Sequence, residues 1–194
     1  MNKIIYLLIC FMLLSCDSYV DNKMIIAGDS MAYHLCADDY MFGRVCENVA
    51  VNGSLIQDVK KQLYSIKEDE DDVLVVWSGI NNFFRCKGDD CVDEILVLYS
   101  KLLDEYATHY EKIILVELLP TIATFEDGSV DVVPIINRRL QLIVDEYENV
   151  VLLQHNEALL NIDGSLNETM TTDGLHLNEN GNDLVWSELR KLIY

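Results

Sequence analysis

The sequence VLVVW at residues 73–77 is continuously apolar, and Ser78, Gly79 and a pair of asparagines follow it closely. A short apolar run of this kind, ended by turn-forming residues, predicts a strand that is buried on both faces. Four similar runs lie at Met24–Ala27, Asn48–Val51, Lys112–Leu118 and Val150–Gln154. Strands of this kind favour a parallel sheet, because such sheets are covered by helices on both sides.

Helical patterns separate the predicted strands. They lie at Met31–Asp38, Leu55–Ile66, Asp93–His109, Pro134–Glu146 and Asn178–Leu192. The alternation of strand and helix predicts right-handed strand–helix–strand units in one parallel sheet. The predicted fold class is therefore α/β, with about five parallel strands in a three-layer α/β/α domain and helices on both faces.

The composition fits one folded domain. The chain has 194 residues, of which 51% are hydrophobic and two are proline, which excludes a disordered or collagen-like protein. Fourteen Lys and Arg residues against 33 Asp and Glu residues give a formal net charge of −19. This charge repels phosphate groups, so it argues against nucleic acid as a partner.

The N-terminus has the features of a secretory signal. Lys3 precedes an uncharged block from Ile4 to Leu14, which is too short for the roughly 20 residues that span a bilayer. The sequence Leu13-Leu14-Ser15-Cys16 resembles a bacterial lipobox, and this resemblance implies cleavage before Cys16 and lipidation of its thiol. An ordinary signal peptide with an incidental cysteine is the alternative.

These features predict three segments. We expect a lipoprotein signal peptide at residues 1–15, a lipidated Cys16 with a short tether at 16–23, and a folded domain at 24–194. The lipid would hold the domain on a membrane of the cell envelope, facing the periplasm or the exterior.

Four cysteines remain in the predicted domain: Cys36, Cys46, Cys86 and Cys91. An even number in an oxidising compartment favours disulfides, and four cysteines allow three pairings. We favour Cys36–Cys46 with Cys86–Cys91, because each pair lies in one loop-like segment rich in polar residues. Zinc is the rival interpretation, but no Cys-x-x-Cys or Cys/His cluster has ligand spacing, so we expect no metal.

Reactive residue types follow the predicted strands. Ser30, in Gly28-Asp29-Ser30, would begin a helix, whose positive end favours a developing anion nearby. Gly53 follows the second strand, and Asn81 follows the third. In Asp173-Gly174-Leu175-His176, the carboxylate can orient the imidazole. Because ligands bind at the carboxyl ends of parallel strands, we expect these residues to meet there.

In this order, these elements resemble the SGNH hydrolases, the superfamily of GDSL-type esterases and lipases, across residues 24–194. The resemblance implies a flavodoxin-like sheet and ester hydrolysis without a metal or an organic cofactor. It also implies that Ser30 is the nucleophile, His176 the base and Asp173 its orienting acid. The implied oxyanion hole comprises the backbone N–H groups of Ser30 and Gly53 and the side-chain amide of Asn81.

The sequence departs from this pattern at Asn82, where the superfamily usually has aspartate. It contains no long apolar insertion that would cover a fatty chain, which favours short acyl groups, acetyl above all, on saccharides or small esters. An acyltransferase using the same residues and an inactive binding lipoprotein are the alternatives. The sequence leaves the oligomeric state open.

Overall fold

The structure is a computed structural model, and it describes residues 22–35, 40–67, 69–86, 90–121, 132–155 and 157–193. The strands are β1 (Lys23–Gly28), β2 (Tyr40–Met41), β3 (Arg44–Asn48), β4 (Val73–Trp77), β5 (Lys112–Val116) and β6 (Val150–Leu153). The α-helices are α1 (Ser30–Tyr33), α2 (Val59–Leu63), α3 (Ile80–Arg85), α4 (Cys91–Tyr106), α5 (Val132–Val144) and α6 (Glu179–Ile193).

The strands form one sheet in the order β2-β3-β1-β4-β5-β6. The five strands from β3 to β6 in this order pair in parallel, which confirms the predicted α/β architecture. The short strand β2 pairs antiparallel with β3 at the edge, and the sequence pattern does not predict it. The turn between them uses positive φ angles at Phe42 (53°) and Gly43 (74°).

Alternating side chains of the sheet build two cores. In β1, Ile25 and Ala27 pack toward α2, α4 and α5, whereas Met24 and Ile26 pack toward α1 and α6. Successive side chains of a strand point to opposite sides of the sheet, and helices cover each side, so both faces are buried. The continuously apolar sequences of the central strands follow from this arrangement, since neither face of those strands meets water.

The second predicted strand, Asn48–Val51, corresponds to β3, which lies earlier in the chain. The strand begins at Arg44 and ends at Asn48. Its residues are only partly buried, and the Glu47 carboxylate lies 2.8 Å from the Lys23 ammonium group on β1. A half-exposed strand near the edge accommodates charged residues, so a search for continuous apolar runs misses it.

The helices differ from the predictions at two places that matter for the site. The helix after Ser30 ends at Tyr33, whereas the pattern predicts one that continues to Asp38. The short helix α3 is not predicted, because its six residues show less than two turns of periodicity. It begins directly after β4 and carries Asn81.

The structure joins Cys86 to Cys91 by a disulfide, with their Cα atoms 5.5 Å apart. Cys36 lies outside the described residues, so its pairing with Cys46 stays a prediction. Residues 1–21, including Cys16, also lie outside them. Within the described part of the chain, no helix is long and apolar enough to cross a membrane. The same part contains no cluster of three or more His, Cys, Asp or Glu residues that could hold a metal.

Candidate active site

The predicted site residues gather at the carboxyl end of the parallel strands. Ser30 begins α1, two residues beyond the end of β1. Since β1 lies between β3 and β4 in the sheet, Ser30 is flanked by the segments that follow those two strands. Gly53 lies in the loop after β3, and Asn81 lies on α3 after β4.

Asp29 holds the turn that presents Ser30. Its backbone N–H donates to the carbonyl of Trp77 at 3.0 Å, which ties the end of β1 to the end of β4. Its Oδ1 accepts the N–H of Met31 at 2.9 Å, so the side chain caps the first turn of α1. The nucleophile candidate is therefore held by contacts on both sides of its own position.

Gly28 makes this turn possible. Its φ is +141°, and a Cβ atom at this position would lie 2.0 Å from the carbonyl oxygen of Trp77. Any side chain would force two hydrogen-bonded strands apart at the point where Ser30 begins its helix. The glycine is a steric requirement of the site.

We expect Gly28→Ala to lower the free energy of unfolding by about 3 kcal/mol or more, because it combines an unfavourable backbone conformation with a backbone clash. Urea unfolding at equilibrium measures this loss. Gly164→Ala is the matched control. Gly164 also has a positive φ (84°), but among the described residues no atom lies within 4 Å of the place that an added methyl group would take. Equal losses in the two variants would contradict the steric explanation.

His176 links the two other members of the predicted triad. Its Nε2 lies 2.9 Å from Oγ of Ser30, and its Nδ1 lies 2.7 Å from Oδ2 of Asp173. An ionised carboxylate only accepts hydrogen bonds, so Nδ1 of the neutral ring carries the proton. Nε2 is then the acceptor, and the Ser30 hydroxyl donates to it. This is the arrangement that removes a proton from the hydroxyl during attack.

Asp173 is held in place by the backbone of its own loop. Its Oδ1 accepts the N–H groups of Leu175 at 3.0 Å and His176 at 2.8 Å. The hydrogen bonds from the side chain and the backbone of His176 lower the pKa of Asp173 to about 2. The carboxyl group is therefore ionised at neutral pH. The side chains of Asp173 and His176 are 52% and 30% exposed, so water reaches this end of the site.

Asn81 connects the two segments that flank Ser30. Its Nδ2 donates to the carbonyl of Ser54 at 3.1 Å, which joins α3 to the loop that contains Gly53. Nδ2 carries two hydrogens, so one can bind the Ser54 carbonyl while the other binds a substrate oxygen. Gly53 has a φ of 75°, a conformation that glycine adopts readily.

Asn82 binds the segment that directly follows this loop. It is buried, its Oδ1 accepts the N–H of Ile56 at 2.9 Å, and its Nδ2 donates to Oε1 of Gln57 at 3.0 Å. An amide can accept and donate at once, whereas an ionised aspartate only accepts. The departure at this position therefore matches the neighbouring Gln57 and keeps α3 attached to the loop.

Gln62 is a supporting residue that the sequence analysis misses. From α2, its Nε2 donates to the carbonyl of Gly28 at 2.8 Å and to Oγ of Ser54 at 3.0 Å. Its Oε1 accepts the N–H of Gly28 at 2.8 Å. A single glutamine in a helix 34 residues away belongs to no motif, so no sequence pattern could reveal this contact.

His34 is a second residue to which the sequence assigns no role. Its ring lies 6.4 Å from the ring of His176 and 5.4 Å from the ring of Tyr33, in both cases edge to face. Tyr33 is 51% exposed. These rings form an aromatic margin beside the candidate base, and we call Tyr33 and His34 the aromatic margin below.

Comparison with known proteins identifies the family of the chain. The profile of the GDSL-like lipase/acylhydrolase family matches residues 26–184. The chain belongs to this family. As a GDSL-like acylhydrolase it is an ester hydrolase, as the resemblance implied. No curated protein matches the chain at a significant level.

Solved structures share the fold of this GDSL-like protein at low sequence identity. A GDSL-like lipase from Bacteroides thetaiotaomicron has 14% identity and a TM-score of 0.69, with 89% of this chain and 88% of that chain covered. A catalytic mutant of an acetylxylan esterase from Geobacillus stearothermophilus has 15% identity and a TM-score of 0.67, with 89% and 94% covered. The OSK domain of Drosophila Oskar has 17% identity and a TM-score of 0.65, with 89% and 88% covered.

Proposed function

We propose that this GDSL-like hydrolase is a serine esterase that removes short acyl groups, acetyl above all, from saccharides. The observation that carries the proposal is the hydrogen-bonded series from Ser30 through His176 to Asp173, with distances of 2.9 and 2.7 Å. A hydroxyl, an imidazole and a carboxylate in this order are the parts of a serine hydrolase triad.

In the proposed mechanism, Oγ of Ser30 attacks the ester carbonyl while Nε2 of His176 takes the hydroxyl proton. Asp173 stabilises the imidazolium that forms. The C–O bond to the alcohol then breaks, and His176 returns the proton to the leaving oxygen. Water then attacks the acyl-serine while Nε2 of His176 takes one of its protons. The bond between the acyl group and Oγ of Ser30 breaks, His176 returns the proton to Oγ, and the acid is released.

The oxyanion of the tetrahedral intermediate would be bound by the backbone N–H groups of Ser30 and Gly53 and by the amide of Asn81. The placement of Ser30 between the loop of Gly53 and the helix of Asn81 supports this assignment. The hydrogen bond from Asn81 to Ser54 supports it further, because it holds two of the donors in a fixed relation before substrate binds.

Two observations favour a short acyl group on a neutral alcohol. The sequence contains no long apolar insertion that would cover a fatty chain. The net charge of −19 disfavours anionic lipid surfaces. The fold shared with an acetylxylan esterase is consistent with an acetylated saccharide as substrate.

The aromatic margin supports a saccharide as the alcohol part. Aromatic rings combine an apolar face with polar edges, and such faces pack well against the C–H side of a sugar ring. The exposure of His176 and Asp173 supports water as the acyl acceptor, because water reaches the base directly.

The predicted lipid anchor would orient this site away from its membrane. The chain from Cys16 to Lys23 is seven residues long and reaches at most about 25 Å when extended. β1 starts at Lys23, whereas Ser30 follows the opposite end of the strand. A domain tethered at the start of β1 would expose its site to envelope glycans on the far side.

We expect an O-acetylated xylooligosaccharide to be hydrolysed with a higher kcat/KM than a phospholipid, because the chain has no apolar insertion to cover a fatty chain and its net charge of −19 disfavours anionic lipid surfaces. Titration of released acetate and fatty acid in parallel assays measures the ranking. The reverse ranking would overturn the substrate proposal. Products formed with an added sugar acceptor distinguish a hydrolase from an acyltransferase, since only a transferase would form a new sugar ester.

A further inference from the structure

Two buried polar atoms behind the nucleophile lack hydrogen-bond partners among the described residues. They are Oδ2 of Asp29 and Oγ of Ser78. Both side chains belong to residues that are 1% exposed, so bulk water does not reach them. Leaving such atoms without partners costs about 1–3 kcal/mol each, and more for a charged group. A folded protein normally satisfies them, directly or through internal water.

Asp29 and Ser78 line the same small cavity. Its volume is about 10 Å³, and its other walls are mainly apolar, with the side chains of Trp77 and Leu118 among them. A cavity needs a volume of roughly one probe sphere and at least two polar partners to hold a water molecule. This cavity meets both conditions at their lower limit, so it has room for one water.

We propose that one internal water occupies this cavity, donates a hydrogen bond to Oδ2 of Asp29 and accepts one from the hydroxyl of Ser78. A carboxylate needs donors, and a water bridging to a hydroxyl supplies one without a change in backbone position. The geometry thereby makes Asp29 and Ser78 positioning residues for Ser30. This inference rests on the proposed esterase function for its consequence, but the water site itself does not.

The consequence for Ser30 follows from the other oxygen of the same carboxyl group. Oδ1 of Asp29 accepts the N–H of Met31 and so holds the turn that contains Ser30. The bridging water would keep the carboxylate ionised and in one rotamer. Loss of the water would favour protonation and rotation of the carboxyl group, which would loosen the turn and displace Oγ of Ser30 from His176.

The surroundings of Asp29 make this protonation relevant near neutral pH. Burial raises the pKa of Asp29 to about 6, although the N–H groups of Met31 and Gly79 and the nearby His176 act in the opposite direction. Among the described residues, the titratable groups that face it are His176 and Tyr99, whose hydroxyl donates to the carbonyl of Ser78. Burial also raises the pKa of Tyr99, so the phenol stays neutral.

We expect activity to be lost as the pH falls through the pKa of Asp29. Above pH 6 the Asp29 carboxyl is ionised and the turn is held. Protonation of Asp29 as the pH falls weakens the hold on the turn, so kcat should fall on the acidic side of the profile. Removal of the water would raise the pKa of Asp29 further, so the loss of activity would begin at a higher pH.

Three measurements test this proposal. A crystal structure with ordered waters should show one water bound to Asp29 and Ser78; a collapsed cavity or a direct Asp29–Ser78 hydrogen bond would overturn it. Ser78→Ala should lower kcat at pH 7 up to about tenfold with KM unchanged, the effect of one hydrogen bond. The acidic limb of the kcat profile of Ser78→Ala should also move to higher pH.

The third measurement does not depend on activity. Carbon NMR of the Asp29 carboxyl group should show a titration that moves to higher pH in Ser78→Ala, and Asp29→Asn identifies the resonance by its loss. An unchanged titration or an unchanged kcat profile in Ser78→Ala would overturn the positioning role. If the protein hydrolyses no ester, the crystal and NMR results still decide the water site, so failure of the two proposals can be told apart.

Discussion

Replacement of Ser30 by alanine is expected to lower kcat for ester hydrolysis by at least about 10⁴-fold, as for removal of other triad nucleophiles. The variant lacks the oxygen that lies 2.9 Å from Nε2 of His176, so the proposed acyl-enzyme could not form. Turnover of a chromogenic acetate and covalent labelling by a fluorophosphonate probe measure the two losses. The fold should be unaffected, because the substitution removes one hydroxyl from a partly exposed position.

Ser187→Ala is the matched control for this variant. Ser187 lies exposed on α6, and its hydroxyl donates to the carbonyl of Leu184 in its own helix. We expect this control to keep both turnover and labelling at the wild-type level. Labelling of the Ser30→Ala variant at the wild-type level would end the assignment of Ser30 as the nucleophile. Thermal unfolding of both variants shows whether a loss of activity reflects a loss of fold.

Asn81→Ala is expected to lower kcat by about 10²–10³-fold, the usual effect of removing one donor from an oxyanion hole. KM should change little, because in the proposed role the Asn81 amide would bind the negative charge that develops in the transition state and not the ground-state carbonyl. Steady-state kinetics with a chromogenic acetate separate the two constants. A loss below about tenfold would remove Asn81 from the oxyanion hole.

The neighbouring Asn82 provides the control for the role of Asn81. Asn82 is buried with two hydrogen bonds to the short 3-10 helix Ile56–Asp58, so Asn82→Ala should lower the melting temperature. Asn81→Ala should lower the melting temperature less than Asn82→Ala, since the Asn81 amide is partly exposed and donates to a single carbonyl, that of Ser54. If both variants lose stability and activity together, Asn81 acts through the structure of the loop and not on the oxyanion.

The central strands and their position between layers of helices can be predicted from the sequence, because burial on both faces requires a continuous run of apolar residues. The strand Val73–Trp77 has the predicted bounds, and β1 differs from its prediction by one residue at each end. Apolar side chains are required at each position of such strands, so the pattern is visible in a window of a few residues. The same argument explains the long helices α4, α5 and α6, whose apolar faces repeat over several turns.

The elements beside the site are predicted less well, because their residues are partly exposed or too few to form a continuous apolar run or a helical repeat. β3 carries Arg44 and Glu47 at partly exposed positions, and α3 is too short to show periodicity. α1 ends at Tyr33, where the side chain of Asn48 donates to its carbonyl from 15 residues away. Such an end depends on a contact between segments, which a local window does not contain.

The primary structure shows the residue types of the candidate site and their order along the chain, because the chemistry restricts these types and short turns surround them. The residues are Ser30, Asn81, Asp173 and His176. The contact between Ser30 and His176 joins residues 146 positions apart, and folding of the sheet creates it. The same holds for the bonds of Gln62 to Gly28 and for the shared cavity of Asp29 and Ser78. These contacts leave no local pattern, because each depends on where separate strands end in space and not on the residues next to it in the chain.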